Sequence, residues 1–144
     1  MLYHLRRTQA PAAVILIRVM VGAVFVSEGI QKFLYPESVG AGRFESIGFP
    51  APQWIAGLVA CFEIVCGAAV LVGWWTRLAV LPLIAIMLVA LATTKLPIFL
   101  DQGFWKMAHD ARTDWSMLLG SFFLFVVGAG PLSADRLARE PHSR

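Results

Sequence analysis

The stretch Pro52–Arg77, PQWIAGLVACFEIVCGAAVLVGWWTR, decides the fold. From Pro52 to Gly73 it holds a single charged side chain, Glu63, and it is long enough for a helix to cross a hydrocarbon core about 30 Å thick. Trp54 stands near one end and Trp74-Trp75 at the other, as amphipathic rings do at the two interfaces of a bilayer. Glu63 then lies about 14 Å from the Trp54 belt, close to the midplane, at ~1.5 Å per residue. The turn Gly73-Trp-Trp-Thr-Arg is short, so the next helix must return antiparallel beside this one.

Working outward, three more apolar segments come into view. The first runs from about residue 12 to 34, with Pro11 suited to a helix start and Tyr35-Pro36 ending it. The third runs from about 77 to 96, with Thr76 as its expected N-cap and Pro82 as an expected bend. The fourth is the shortest, from about 114 to 130, and Pro131 stops it. The fold class expected is therefore an all-α membrane protein, a four-transmembrane-helix antiparallel bundle. One domain fills residues 1–144, with spans 12–34, 52–73, 77–96 and 114–130 and a polar tail over 132–144. The first loop is rich in Gly and Pro and reads as irregular. The second, KLPIFLDQGFWKMAHDAR, is too apolar for an aqueous loop and is expected to lie in the interface or dip over the bundle.

Composition agrees. Of 144 residues 58% are hydrophobic and 15% charged, against roughly 45–50% and about 25% in soluble domains. Mean hydropathy is +0.72. The net charge of +3 sits mostly near the ends and in loops, which suits anionic lipid headgroups and excludes the basic stripe of a nucleic-acid binder. Arg6-Arg7 before an apolar run resembles a signal peptide. Arg18 interrupts that run, however, and no small-residue cleavage site follows, so no cleavage is expected. Arg6, Arg7, Arg77, Arg136, Arg139 and Arg144 outnumber the cations of the opposite side. The chain is therefore expected to be multi-pass with both termini in the cytoplasm. Cys61 and Cys66 lie about 140° apart on a helix. That rules out a disulfide within it, and both read as small buried residues. Ala56/Ala60, Gly57/Cys61 and Ala69/Gly73 repeat small residues at four-residue spacing, which lets helices approach closely.

The charges inside the spans carry the functional information. Near the bilayer centre each costs at least about 2.5–3.5 kcal/mol unless paired or hydrated. Glu63 has no structural excuse for its position. Glu28 and Lys32 form an i,i+4 pair in the favourable order, and Arg18 falls about 80° around the same helix from Glu28. These three are expected to share an inward face. Lys95 closes the third segment, and Arg112 and Asp114 open the fourth, on the same side of the membrane as Lys32. Lys32, Lys95 and Arg112 thus face Glu28, Glu63 and Asp114 in one expected network. Lys32, Lys95 and Asp114 also suit the dipoles of their helix ends, and Arg18 can snorkel toward headgroups. His109, in an aromatic loop, is a candidate proton carrier because imidazole titrates near neutrality. The histidines His4, His109 and His142 show no metal-ligand spacing, and there is no nucleotide loop or nucleophile motif.

Arg18, Ser-Glu-Gly-Ile-Gln-Lys-Phe (Ser27–Phe33), Gly48-Phe49-Pro50, Glu63, the Gly73…Thr76-Arg77 turn and the four-segment layout together resemble the DoxX family. Gly103-Phe104-Trp105 through His109, and Ala111–Gly120, resemble one branch of it. The resemblance covers residues 13–137. It implies a small protein of the bacterial inner membrane. The family takes its name from a subunit of a sulfur- and quinol-linked terminal oxidase, and some relatives associate with redox or thiol-stress machinery. Glu28, Lys32 and Glu63 match the family's acidic and basic motif. Arg112 and Asp114 stand where other branches carry an aromatic-acidic motif, a departure that leaves a shared substrate open. The lack of a vicinal cysteine pair argues against dithiol chemistry.

Two classes of function follow. In the first, a redox-associated membrane subunit binds a quinone or similar amphipathic molecule in an ion-lined cavity of the outer half. Glu63 and Glu28 handle protons there, and Lys32, Lys95, His109, Arg112, Asp114 and Arg18 line the site. Charged groups in a dry bundle titrate away from their ordinary values, as proton transfer needs. Electrons would come from a partner redox protein, since no metal or covalent cofactor ligands are present. In the second, the chain is a non-catalytic scaffold or assembly factor whose charges fix helix register. A small-molecule transporter would need a homo-oligomer to form a pathway.

Overall fold

A computed structural model describes residues 11–138. Arg6, Arg7, Arg139 and Arg144, on which the orientation partly rests, lie outside the described residues, as do His4 and His142. Among the described residues every regular element is helical. α1 is Val14–Leu34, α2 Ala41–Ser46, α3 Pro52–Val72 and α4 Thr76–Ala90. A π-helical turn, Leu91–Lys95, carries α4 straight into α5, Leu96–Gln102. α6, α7 and α8 follow as Phe104–Asp110, Arg112–Val127 and Ala134–Leu137.

Among the described residues three helices are long and apolar enough to cross a membrane: Val14–Leu34, Pro52–Val72 and the continuous Thr76–Gln102. The third overruns its expected end because the apolar residues after Leu96 extend the helix instead of forming a loop. The first loop is likewise not wholly irregular, since α2 forms in it. α7 has 16 residues, about 24 Å of helix. It starts two residues before the expected boundary and ends early, where Gly128 adopts φ +87°. Pro82 sits inside α4. A π-helical irregularity, Leu91–Lys95, comes ahead of Pro97, whose missing N–H and ring disfavour a regular bond to the carbonyl four residues back. The hydroxyls of Thr93 and Thr94 donate to Val89 O and Ala90 O there, at 2.8 and 2.6 Å.

α1 lies along α3 and α4 along α7. Glycine brings the first pair together. A Cβ on Gly29 would stand 2.7 Å from Ile64 Cγ1 and 2.8 Å from Ala60 O, and one on Gly22 would stand 2.8 Å from Gly67 O. Ala56 and Ala60 do face inward, but Gly57 opens onto empty space and Cys61 is exposed. Cys66 is only partly buried. The sequence offered two small-residue stripes on α3, and an apolar helix does not say by pattern which one meets its neighbour. Gly29→Val should wedge the two backbones apart and lower stability by about 1–3 kcal/mol, the usual cost of overpacking. Denaturant titration in detergent, followed by circular dichroism, measures it. A variant as stable as the parent would show the contact to be compliant.

Val21, Phe25, Val70, Val80, Leu83 and Leu124 form the fully buried centre. Leu16, Leu58, Val65, Leu88, Leu119 and Val126 point outward. Such a girdle would be a liability in water and is ordinary against lipid tails. Trp54 and Trp74 stand exposed at opposite ends of α3.

Candidate functional site

α1 and α3 run antiparallel, so the C-terminal end of α1 lies beside the N-terminal half of α3. The absent side chain of Gly29 lets α3 approach until Glu63 Cβ stands 3.1 Å from where a Gly29 Cβ would be. Helical side chains lean toward the N-terminus, so Lys32 reaches back over this gap. Its Nζ lies 2.7 Å from Glu63 Oε2, with 11% of the lysine and 3% of the glutamate side chain exposed. The expected cross-helix ion pair is present. Lys32 meets Glu63 rather than its i,i+4 neighbour Glu28, which is exposed but still acts on Glu63 through space.

A second pair closes the other side of the bundle. Lys95, delivered by the π turn, places Nζ 3.3 Å from Asp114 Oδ2 at the start of α7, with 15% and 20% of the side chains exposed. Residues that the sequence grouped into one network therefore resolve into two separate cross-helix pairs. His109 lies exposed on α6, and Arg112 donates to its carbonyl oxygen at 2.6 Å, bracing the corner between α6 and α7. Lys106 and Asp110 make a further pair one turn apart, at 2.7 Å. The hydrogen bond from the Lys106 ammonium holds the Asp110 carboxyl below the usual aspartate range. What that contact adds to α6 is present at neutral pH and is lost as the pH falls through the lowered value.

Arg18 belongs to the opposite end. It is 2% exposed, and it shares no face with Glu28. Its guanidinium donates to Val70 O and Ala129 O at 3.0 Å each, to Leu71 O at 2.6 Å, and to Leu132 O. Two of these carbonyls lie in the last turn of α3, where Val70 O also accepts from Gly73 N at 3.1 Å, and two belong to the chain after α7. Asp135, also 2% exposed, completes the arrangement. Its carboxylate accepts from Trp75 N at 3.1 Å and Thr76 N at 3.4 Å, and its own N–H donates to Gly73 O at 3.0 Å. Thr76 is therefore the first helical residue of α4 rather than its cap. The acceptor for those N–H groups comes from about 60 residues away. Trp75, held at φ +49°, is a left-handed residue without glycine's freedom, and the Asp135 carboxylate fixes its N–H. Gly73, at φ +72°, has Arg18 Cζ within 2.7 Å of a would-be Cβ, so only glycine fits under the guanidinium.

A family model described as DoxX matches residues 13–96. The chain belongs to the DoxX family. It is also 52% identical over 139 residues to an uncharacterized membrane protein of Mycobacterium tuberculosis, covering 92% of this chain and 85% of that one. No solved structure matches it. Like that relative, this DoxX protein is an integral membrane protein. The family match takes in Arg18, Glu28, Lys32, Glu63 and Lys95 and stops short of His109, Arg112, Asp114 and Asp135.

Asp135 was missed because it sits in a short polar tail. Two signals point to it. The N–H groups opening α4 need an acceptor, and with Trp75 rather than Thr76 at the cap position the turn supplies no side-chain oxygen for them. Arg18 needs a counter-charge on its own side, and Asp135 is the one acid between Asp114 and Glu140.

Proposed function

We propose that this DoxX protein is a redox-associated subunit of the bacterial inner membrane in which Glu63, paired with Lys32, exchanges protons with a quinone. α7 makes a fourth crossing, both termini face the cytoplasm, and residues 1–144 act as one domain. Reducing a quinone takes up two electrons and two protons. The electrons come from a partner redox protein, and the protons pass through Glu63 and the exposed Glu28. The polar groups at the same end, Lys95, Asp114, His109 and Arg112, meet the quinone oxygens. Arg18 leaves this set, since a guanidinium with four carbonyl acceptors has little left to offer a ligand. The observation carrying the reading is the Lys32–Glu63 contact at 2.7 Å between two helices long and apolar enough to cross a membrane, because buried charge in such helices is costly and is kept mainly for function.

The same closeness favours a second reading, a scaffold whose ion pair only sets helix register. Titrating purified protein with a short-chain naphthoquinone separates them. The proton-site reading expects a thermal shift that saturates with quinone and is lost in Glu63→Gln. No shift in the parent protein removes it and leaves the scaffold.

A further inference from the structure

The two ends of the bundle are built differently. At the Lys32 end, charged groups remain partly open: Lys32 at 11%, Lys95 at 15% and Asp114 at 20% of the side chain, with Glu28 exposed beside them. At the Arg18 end, the chain after α7 folds back under the bundle. Four carbonyls and the Asp135 carboxylate close around the guanidinium and the Gly73–Thr76 turn. Between this clamp and Glu63 lie the fully buried Val21, Phe25, Val70, Val80, Leu83 and Leu124. The buried hydroxyls of Thr76 and Ser121 find no hydrogen-bond partner, so neither extends a polar chain from the clamp toward the ion pair. A proton needs such a chain or a file of water, and an apolar layer of this kind stays dry.

We infer that the Lys32–Glu63 pair is reached from one face of the membrane only, the face at the C-terminal end of α1. Arg18, Asp135 and the segment after α7 stopper the other. For its consequence the inference rests on the proton-site reading: protons and the ligand's polar head enter and leave by the same side. A carrier with alternating access would need both ends to open, and the clamp holds one shut. α7 packs on α4 and α1, and the clamp ties the chain that follows it to the end of α3, so the stopper is also where opening would start if it were weakened.

Single cysteines on a Cys61→Ser/Cys66→Ser background test it, labelled by a charged, membrane-impermeant methanethiosulfonate in vesicles of each orientation. Arg43→Cys and Ala138→Cys mark the two faces. Glu28→Cys should label only from the Arg43 face. Ser121→Cys, a one-atom change in the dry layer, should label from neither. Adding Asp135→Ala should make position 121 label several-fold faster from the Ala138 face, in protein that still elutes as one species. If that variant does not fold, Leu132→Gly loosens the same segment without removing a charge. Labelling of position 28 from the Ala138 face or from neither, or of position 121 with the clamp intact, overturns the inference. So does a position 121 that stays silent once the clamp is loosened. These readouts need no quinone, so failure of the proton-site reading leaves them unchanged and is told apart.

Discussion

Replacing Arg18 with methionine is expected to lower the stability of the bundle by about 3–5 kcal/mol, the loss typical of breaking a buried charged cluster from one side. Methionine fills much of the same space, so little of the effect is a cavity. The loss comes from the guanidinium's hydrogen bonds to the main-chain carbonyls of Val70, Leu71, Ala129 and Leu132, of which Val70 O keeps its bond from Gly73 N, and from the attraction between the guanidinium and the buried Asp135 carboxylate. Arg18→Lys should recover only part, because an ammonium keeps the charge but lacks the fork that reaches acceptors from both α3 and the tail. Asp135→Asn in the Arg18→Met background should cost less than it does alone, since the two changes remove one interaction. Unfolding titrations of the four proteins supply the double-mutant cycle. Additive losses would mean that Arg18 and Asp135 act independently.

The second large effect belongs to the ion pair, and the two halves should not behave alike. Lys32→Met strands the Glu63 carboxylate, which is 2% exposed, and should cost about 3–5 kcal/mol. Glu63→Gln should cost less. The freed lysine lies near a helix end, where its long stem can lift the ammonium toward the interface, and Glu28 is close by. Lys32→Met/Glu63→Gln should regain most of the stability, since a neutral pair carries no desolvation penalty. Function separates the readings. A proton site leaves all three variants without quinone response, however stable the double variant is. A register pin restores response together with stability, and that outcome would remove Glu63 from the mechanism.

Helix positions in this protein were readable because membrane-length apolar runs leave little freedom. Val14–Leu34 and Pro52–Val72 differ from the expected spans by two residues or fewer at each end. The end of the third was not readable, because Lys95 looks like a terminus while the chain absorbs it in a π turn and continues to Gln102. The ion pair was legible in kind, because charge balance in a medium that cannot solvate lone ions demands a partner for Glu63. Its identity was not, since Lys32 and Lys95 both satisfied that demand.

The sequence by itself determined the medium, the apolar helices, and the fact that Glu63 needs a cation, because hydropathy and helix length act locally along the chain. Only the tertiary structure decided that Gly29 brings Lys32 onto Glu63, that Lys95 goes to Asp114, and that Asp135 caps a helix some 60 residues away. Each of those depends on how one helix is rotated against another. In uniformly apolar helices, that rotation is set by where backbones can touch and where polar groups must find each other, which no periodicity along the chain records.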